Sequence, residues 1–159
     1  MEKRIVDPEF GPLMWDQHAW YSEERLELPF LGRIQTFWLC VEGEENGEFI
    51  PCQRSTWRQF KERQAEFMQR FDDALFAYFR AEIEEDWRAR LDGDIPTVRS
   101  IAGLATLVTP TILVLPNLYE DEEVAIGISM ECEWDPEHGA GVLILGEQVE
   151  AGGADLLTL

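Results

Sequence analysis

The last sixty residues of the chain, 100–159, contain no lysine and no arginine. Eleven carboxylates stand there without a basic side chain to pair with, so this third offers no cationic groove to a phosphate backbone. Over the whole chain 13 lysines and arginines oppose 32 acids, a net charge of −19. That balance argues against nucleic acid or an anionic membrane as partner and leaves a basic protein as the complement. Lysine is scarce in itself, with only Lys3 and Lys61, and histidine is limited to His18 and His138. The three cysteines, Cys40, Cys52 and Cys132, are an odd number at spacings that fit neither a zinc ribbon nor a disulfide framework. They are read as reduced thiols, Cys40 and Cys132 as small core residues in strands. There is no G-x-S-x-G, no Walker motif, no H-E-x-x-H and no paired C-x-x-C. No catalytic residue, metal ligand or cofactor is assigned on this basis, and the chain is read as a binding protein rather than an enzyme; the alternative left by composition is a structural protein of unknown role whose charge only keeps it soluble.

Long apolar runs are nearly absent too. Residues 1–10 carry Glu2, Lys3, Arg4, Asp7 and Glu9, so no secretory or transit signal is expected and the cytoplasm is the expected location. Ser100 to Tyr119 is twenty residues without a charge, but Pro110, Pro116 and four polar side chains interrupt it and an acidic run follows directly. It reads as a short buried helix leading into a buried strand, not as a membrane span.

What is present is the profile of one soluble domain over residues 1–159: 45% hydrophobic and 28% charged. Surface scaling for this length buries roughly 69% of the unfolded surface without help from disulfides or metals. Strands are expected at Leu13 to Trp15, at Leu26, Leu28 and Phe30, and over Ile34 to Val41, whose apolar groups on both faces suggest a strand covered on both sides. From Thr56 to Leu91 the period becomes helical: Trp57, Phe60, Phe67, Phe71, Leu75 and Tyr78, then Phe79, Ile83, Trp87 and Leu91. Thr56 with Gln59 reads as a capping box and Gly93 as a left-handed stop, with a bend near Asp72-Asp73 or a fraying end expected because a straight rod of about 54 Å is too long for the domain. The aromatic stripe is read as core. Beyond the short helix around Val98 to Leu104 come a strand over Thr111 to Leu115 and an alternating one from Val124 to Trp134. Its opposite face, Ala125, Gly127, Ser129, Glu131, Glu133 and Asp135, is expected to be wet. Val142 to Leu145 and a last strand around Val149 complete an α+β domain, an antiparallel sheet of five to seven strands against one long amphipathic helix and a short second helix.

One stretch is dense in polar chemistry. Cys132 through Gly139 brings together a thiol, carboxylates at Glu133, Asp135 and Glu137, and His138. A metal-dependent hydrolase using Asp135, Glu137 and His138 is one reading of it, since these side chains supply ligand oxygens and nitrogens or a general base. The other is a hairpin turn: Asp135 accepts backbone N–H groups, Gly139 takes positive φ, Trp134 anchors the strand end and Gly141 allows close approach. Consecutive residues of a tight turn point apart, which favours the turn.

The run Asp7-Pro8-x-Phe10-Gly11, Trp20, Phe30-x-Gly32, Gln53 before the helix, and Trp134-Asp135-x-Glu137-His138-Gly139-x-Gly141-Val142 with Gly152 and Asp155 resembles an uncharacterised bacterial domain family with a late W-D-x-E-H-G-x-G motif. That resemblance implies a small cytosolic α+β protein, loosely similar to immunity proteins against polymorphic toxins, and carries over no catalytic residues. The expected contact surface for a basic toxin is Glu120, Asp121, Glu122 and Glu123 together with Glu131, Glu133 and Asp135.

Overall fold

A computed structural model describes residues 3–91 and 94–157, so the stop expected at Gly93 lies outside the described residues. The strands are β1 (Arg4–Asp7), β2 (Gly11–Asp16), β3 (Ala19–Ser22), β4 (Leu26–Phe30), β5 (Arg33–Glu42), β6 (Val108–Leu115), β7 (Ala125–Cys132), β8 (Ala140–Leu145) and β9 (Gln148–Gly153). They form one mixed sheet in the order β1-β2-β3-β5-β6-β7-β8-β9, with β4 paired to the first half of β5. Every pairing is antiparallel except β5 with β6, which run parallel because the chain crosses back through all of its helices between them. The sheet is therefore larger than the five to seven strands expected. The short strands β1 and β3 lack a long alternating run to announce them, and Val6 in edge strand β1 is 79% exposed.

The expected single helix from Thr56 is instead α1 (Pro51–Glu62) and α2 (Gln64–Tyr78), a π turn over Phe79–Ile83, and α3 (Glu84–Arg90). Helix α1 starts five residues early because Pro51 suits the first turn and the Gln53 side chain reaches back to accept the Ile50 N–H at 3.0 Å. Thr56 is no cap: it lies buried inside α1, where its hydroxyl accepts the Ala125 N–H at 3.0 Å and donates to the Glu123 carbonyl at 3.4 Å. The break falls at Arg63, at φ −126° and ψ 42°, and not at Asp72-Asp73. Trp57, Phe60, Phe67, Met68, Phe71, Leu75, Phe79 and Trp87 are buried against Leu39, Val41, Leu113, Ile126, Ile128, Val142 and Ile144. Leu91 lies outside this core and is exposed. A short helix, α4 (Ile101–Leu104), follows Ser100, whose hydroxyl accepts the Gly103 N–H.

Among the described residues the other face of the sheet carries no α-helix. On β5 its residues are Ile34, Thr36, Trp38, Cys40 and Glu42, of which Ile34 and Thr36 are exposed and Cys40 buried, so the expected cover on both sides holds only at the end of the strand. On β7 the expected wet face is likewise only half wet. A 3₁₀ turn (Ala154–Leu156) brings Leu157 across Gly127 and Gly141, where a Cβ at Gly127 would stand 2.4 Å from the leucine side chain. Gly127 is thus covered, Ala125 is buried too, and Glu131 is exposed.

Two polar clasps fix the layers. Asp7 accepts the N–H groups of Glu9 and Phe10 and both Arg54 nitrogens, at 2.9 and 3.0 Å, while Glu9 pairs with Arg58. Burial pushes the Asp7 carboxyl up, but Arg54 and the two N–H groups outweigh it and hold the group below its ordinary value. At the β4–β5 turn Leu31 is fully buried at a left-handed φ of 55°, and its N–H donates to Asp72 Oδ1 at 2.9 Å. Burial, with some repulsion from Asp73, raises the Asp72 carboxyl to about 6 despite that hydrogen bond.

Phe71→Ala is expected to lower the unfolding free energy by about 3 to 5 kcal/mol, and Leu91→Ala by less than about 0.5 kcal/mol, in urea denaturation. Between its unfolded value near 3.8 and about 6 the folded Asp72 keeps a proton the unfolded chain has lost, so its contribution to stability falls as pH rises through that window. Asp72→Asn, which still accepts from Leu31, is expected to gain stability relative to wild type between pH 4 and 6; parallel curves for the two proteins would refute this.

Candidate functional site

Strand register sorts the loops into two ends of the sheet. Glu42 closes β5 beside Leu115 of β6, β7 begins there at Ala125, and β8 ends there at Leu145. The loops at this end carry Glu44, Glu45 and Glu48, then Glu120, Asp121, Glu122 and Glu123, then Glu147, and contain no lysine or arginine. Glu120 to Glu123 are all exposed. Glu131, Glu133 and Asp135 lie at the opposite end, where Val108 pairs with Cys132. Eight residues of strand, about 26 Å, separate Glu123 from Glu131. The structure therefore does not join the expected contact residues into one surface. It adds Glu44, Glu45, Glu48 and Glu147 to the 120–123 loop instead, a grouping hidden in sequence because three separate connections supply it.

The turn after β7 has the geometry of a hairpin support. Asp135 Oδ1 receives the His138 N–H at 3.3 Å and lies 3.1 Å from His138 Nδ1, while the Gly139 N–H donates to the Asp135 carbonyl at 2.9 Å. Trp134 is buried among Phe79 and Trp87, and Arg90 donates to its carbonyl at 3.4 Å. Gly139 has φ 76°, and a Cβ there would stand 2.4 Å from the Met130 carbonyl oxygen. Glu137 and His138 point to solvent. Among the described residues no three His, Cys, Asp or Glu side chains gather into a group able to hold a metal ion. His18 lies in the β2–β3 turn at the acidic end of the sheet, so the two histidines do not meet.

A recess of about 740 Å³ lies on the helix-free face at the acidic end. Ala19, Tyr21, Cys40, Ile112 and Val114 form its floor; Gln17, His18, Glu42, Glu44 and Asn117 stand around the rim, with Ala154 and Leu157 on the far side. Gln17 takes φ 54° in a two-residue hairpin loop, which sets His18 at this rim. Burial raises the Glu42 carboxyl, opposed only by the Asn117 N–H, which reaches Glu42 Oε1 at 3.3 Å. Cys40 is pushed up to about 12, chiefly by burial and further by the Glu42 charge, against a hydrogen bond with Tyr21, and this disfavours its thiolate. Burial likewise raises Cys132 to about 11, and raises Cys52. Neither Glu42 nor Tyr21 is among the expected contact residues. The available signal was phase: Glu42 continues the face of Trp38 and Cys40, placing a carboxylate in line with apolar groups.

The profile of the DUF6985 family, a domain of unknown function, matches residues 9–158. The chain belongs to this family. DUF6985 thus covers nearly the whole sheet and all the helices, including the acidic loops and the cavity. No curated protein and no solved structure matches the chain. No helix among the described residues is long and apolar enough to cross a membrane.

Gly139→Ala is expected to destabilise the domain by about 1 to 3 kcal/mol, because the new Cβ is strained at positive φ and meets a backbone carbonyl. His138→Ala, at an exposed position, should stay within about 0.5 kcal/mol in the same thermal or urea measurement. Equal effects would remove the turn's structural role.

Proposed function

We propose that this DUF6985 domain is a protein-binding module whose acidic sheet end takes a basic protein, in the manner of a bacterial cytoplasmic immunity protein that neutralises a toxin such as a nuclease. The observation that supports this most is the one-sided placement of charge. Three loops from distant parts of the sequence meet at one end of the sheet carrying only carboxylates. Acidic loops on a chain of net charge −19, with Arg70 of α2 bonded to the Gly146 carbonyl at 3.2 Å beside them, attract a cationic partner from a distance and raise its association rate. The fold suits such a role, since the loops are held by a rigid sheet: the Gly146 N–H donates to the Val124 carbonyl at 2.9 Å and Thr56 ties Glu123 and Ala125 to α1. Nothing in the Asp135–His138 turn favours the hydrolase reading over this one.

The test is co-expression with the product of the adjacent open reading frame, followed by co-purification at low and high salt. Wild type is expected to associate and to lose the partner as salt rises. Reversal of Glu120, Asp121, Glu122 and Glu123 to lysine is expected to slow association by roughly ten- to a hundredfold. Reversal of Glu131, Glu133 and Asp135 at the other end should change it by less than about twofold, within the range of a distant surface charge. Association indifferent to salt and to the loop reversal would discard the electrostatic mechanism, and a non-associating metabolic neighbour would discard the immunity role.

A further inference from the structure

The cavity on the helix-free face combines features that the acidic loops lack. Its volume of about 740 Å³ is in the range of pockets that enclose a ligand group, and no lysine or arginine lines it. At its rim Glu42 is half-buried, with the Asn117 N–H as the one hydrogen-bond donor to its carboxylate among the described residues, at 3.3 Å. Among the described residues no lysine or arginine lines the recess around it; burial raises its carboxyl, and the Asn117 N–H acts against that rise. A carboxylate taken partly out of water without a counter-ion is costly, and an incoming cation relieves that cost. Beside Glu42 the floor is apolar, with Tyr21, Ile112 and Val114, and Glu44 adds a second carboxylate at the mouth. An apolar floor ending at a carboxylate is the complement of a side chain with an aliphatic stem and a charged head. An anion is refused by the two glutamates, and among the described residues a metal ion finds no group of three ligands.

We propose that this cavity is the receptor for one lysine or arginine side chain of the basic partner, the charged head meeting Glu42 and the stem lying on Tyr21, Ile112 and Val114. The assignment rests on the binding role proposed above and gives it an anchor: the exposed loops draw the partner in, and the cavity holds one of its side chains. The two parts fail separately. Loop charge acts on the rate of encounter, whereas a desolvated pair at Glu42 acts on the rate of escape.

The experiment uses the full chain, isotope-labelled for NMR, titrated with Nα-acetyl-lysine methylamide, its arginine counterpart and the neutral norleucine counterpart. The two cationic probes are expected to bind saturably, with dissociation constants of order millimolar, and to shift the amides of Tyr21, Cys40, Glu42 and Asn117. Norleucine should leave those amides in place. Glu42→Gln, which keeps an oxygen for the Asn117 N–H, should weaken both cationic probes by at least about tenfold. The fourfold loop reversal at 120–123 should alter probe affinity by less than about twofold while still losing the partner in co-purification. Equal binding of norleucine, indifference to Glu42→Gln, or shifts confined to 120–123 would each overturn the assignment. So would free lysine or arginine binding more tightly than the blocked amides, which would make the cavity a site for a free amino acid.

Discussion

The side-chain amide of Gln53 is the contact on which the two halves of the domain depend. It is fully buried, and it donates to the carbonyls of Glu42 and Leu115 at 2.6 and 2.8 Å while accepting the Ile50 N–H. Those two carbonyls end the only parallel pair among the described strands, β5 and β6, the Leu115 acceptor buried and the Glu42 acceptor partly so. A buried carbonyl without a donor is costly, and one amide satisfies both while starting α1. The return of the chain from the helices to the sheet therefore depends on one residue with three hydrogen bonds. A hydrophobic side chain of similar size fills the volume and leaves two carbonyls and one N–H orphaned.

The same residue governs the candidate site. Through the Glu42 carbonyl it fixes the end of the strand whose carboxylate stands at the cavity rim, and through Leu115 it fixes the strand from which the 120–123 loop departs. Charge and shape at this end are thus coupled to the helix layer on the opposite face. Cations are absent from these loops but abundant on the helices, where Arg54, Arg58, Arg80 and Arg90 pair with Asp7, Glu9, Glu84 and Asp86. These pairs neutralise much of the positive charge of the helix layer, and the loops at the sheet end keep eight carboxylates with no basic residue in the same loops.

Much of this was legible where the sequence pattern and the packing agree. The alternation from Val124 to Trp134 marked β7, and Asp135 and Gly139 marked the turn with its positive φ. The apolar period of the central helices marked the core-facing side through Trp87. The rest depended on partners far away in the chain. Nothing in Arg63 or in Phe79 to Ile83 announces a break or a π turn, because neither proline nor glycine is present and packing sets both. Thr56 looked like a cap because its hydroxyl had no visible alternative, and the alternative was Ala125, 69 residues on. Gly127 looked solvent-facing because Leu157, which covers it, comes thirty residues later. The cavity needed strands from three parts of the chain and had no local signature at all.

The β4–β5 turn carries a consequence for how the hairpin is held. A two-residue hairpin loop ordinarily uses asparagine or glycine where Leu31 takes its left-handed conformation, so the local sequence resists closing this hairpin. Burial of the leucine side chain and the Asp72 carboxylate on its N–H offset that resistance, and both come from outside the hairpin. The pairing of β4 with the first half of β5 is therefore tied to α2: its tight turn is held by a contact that spans 41 residues, so a change at Asp72 is felt in a hairpin far from it in the chain.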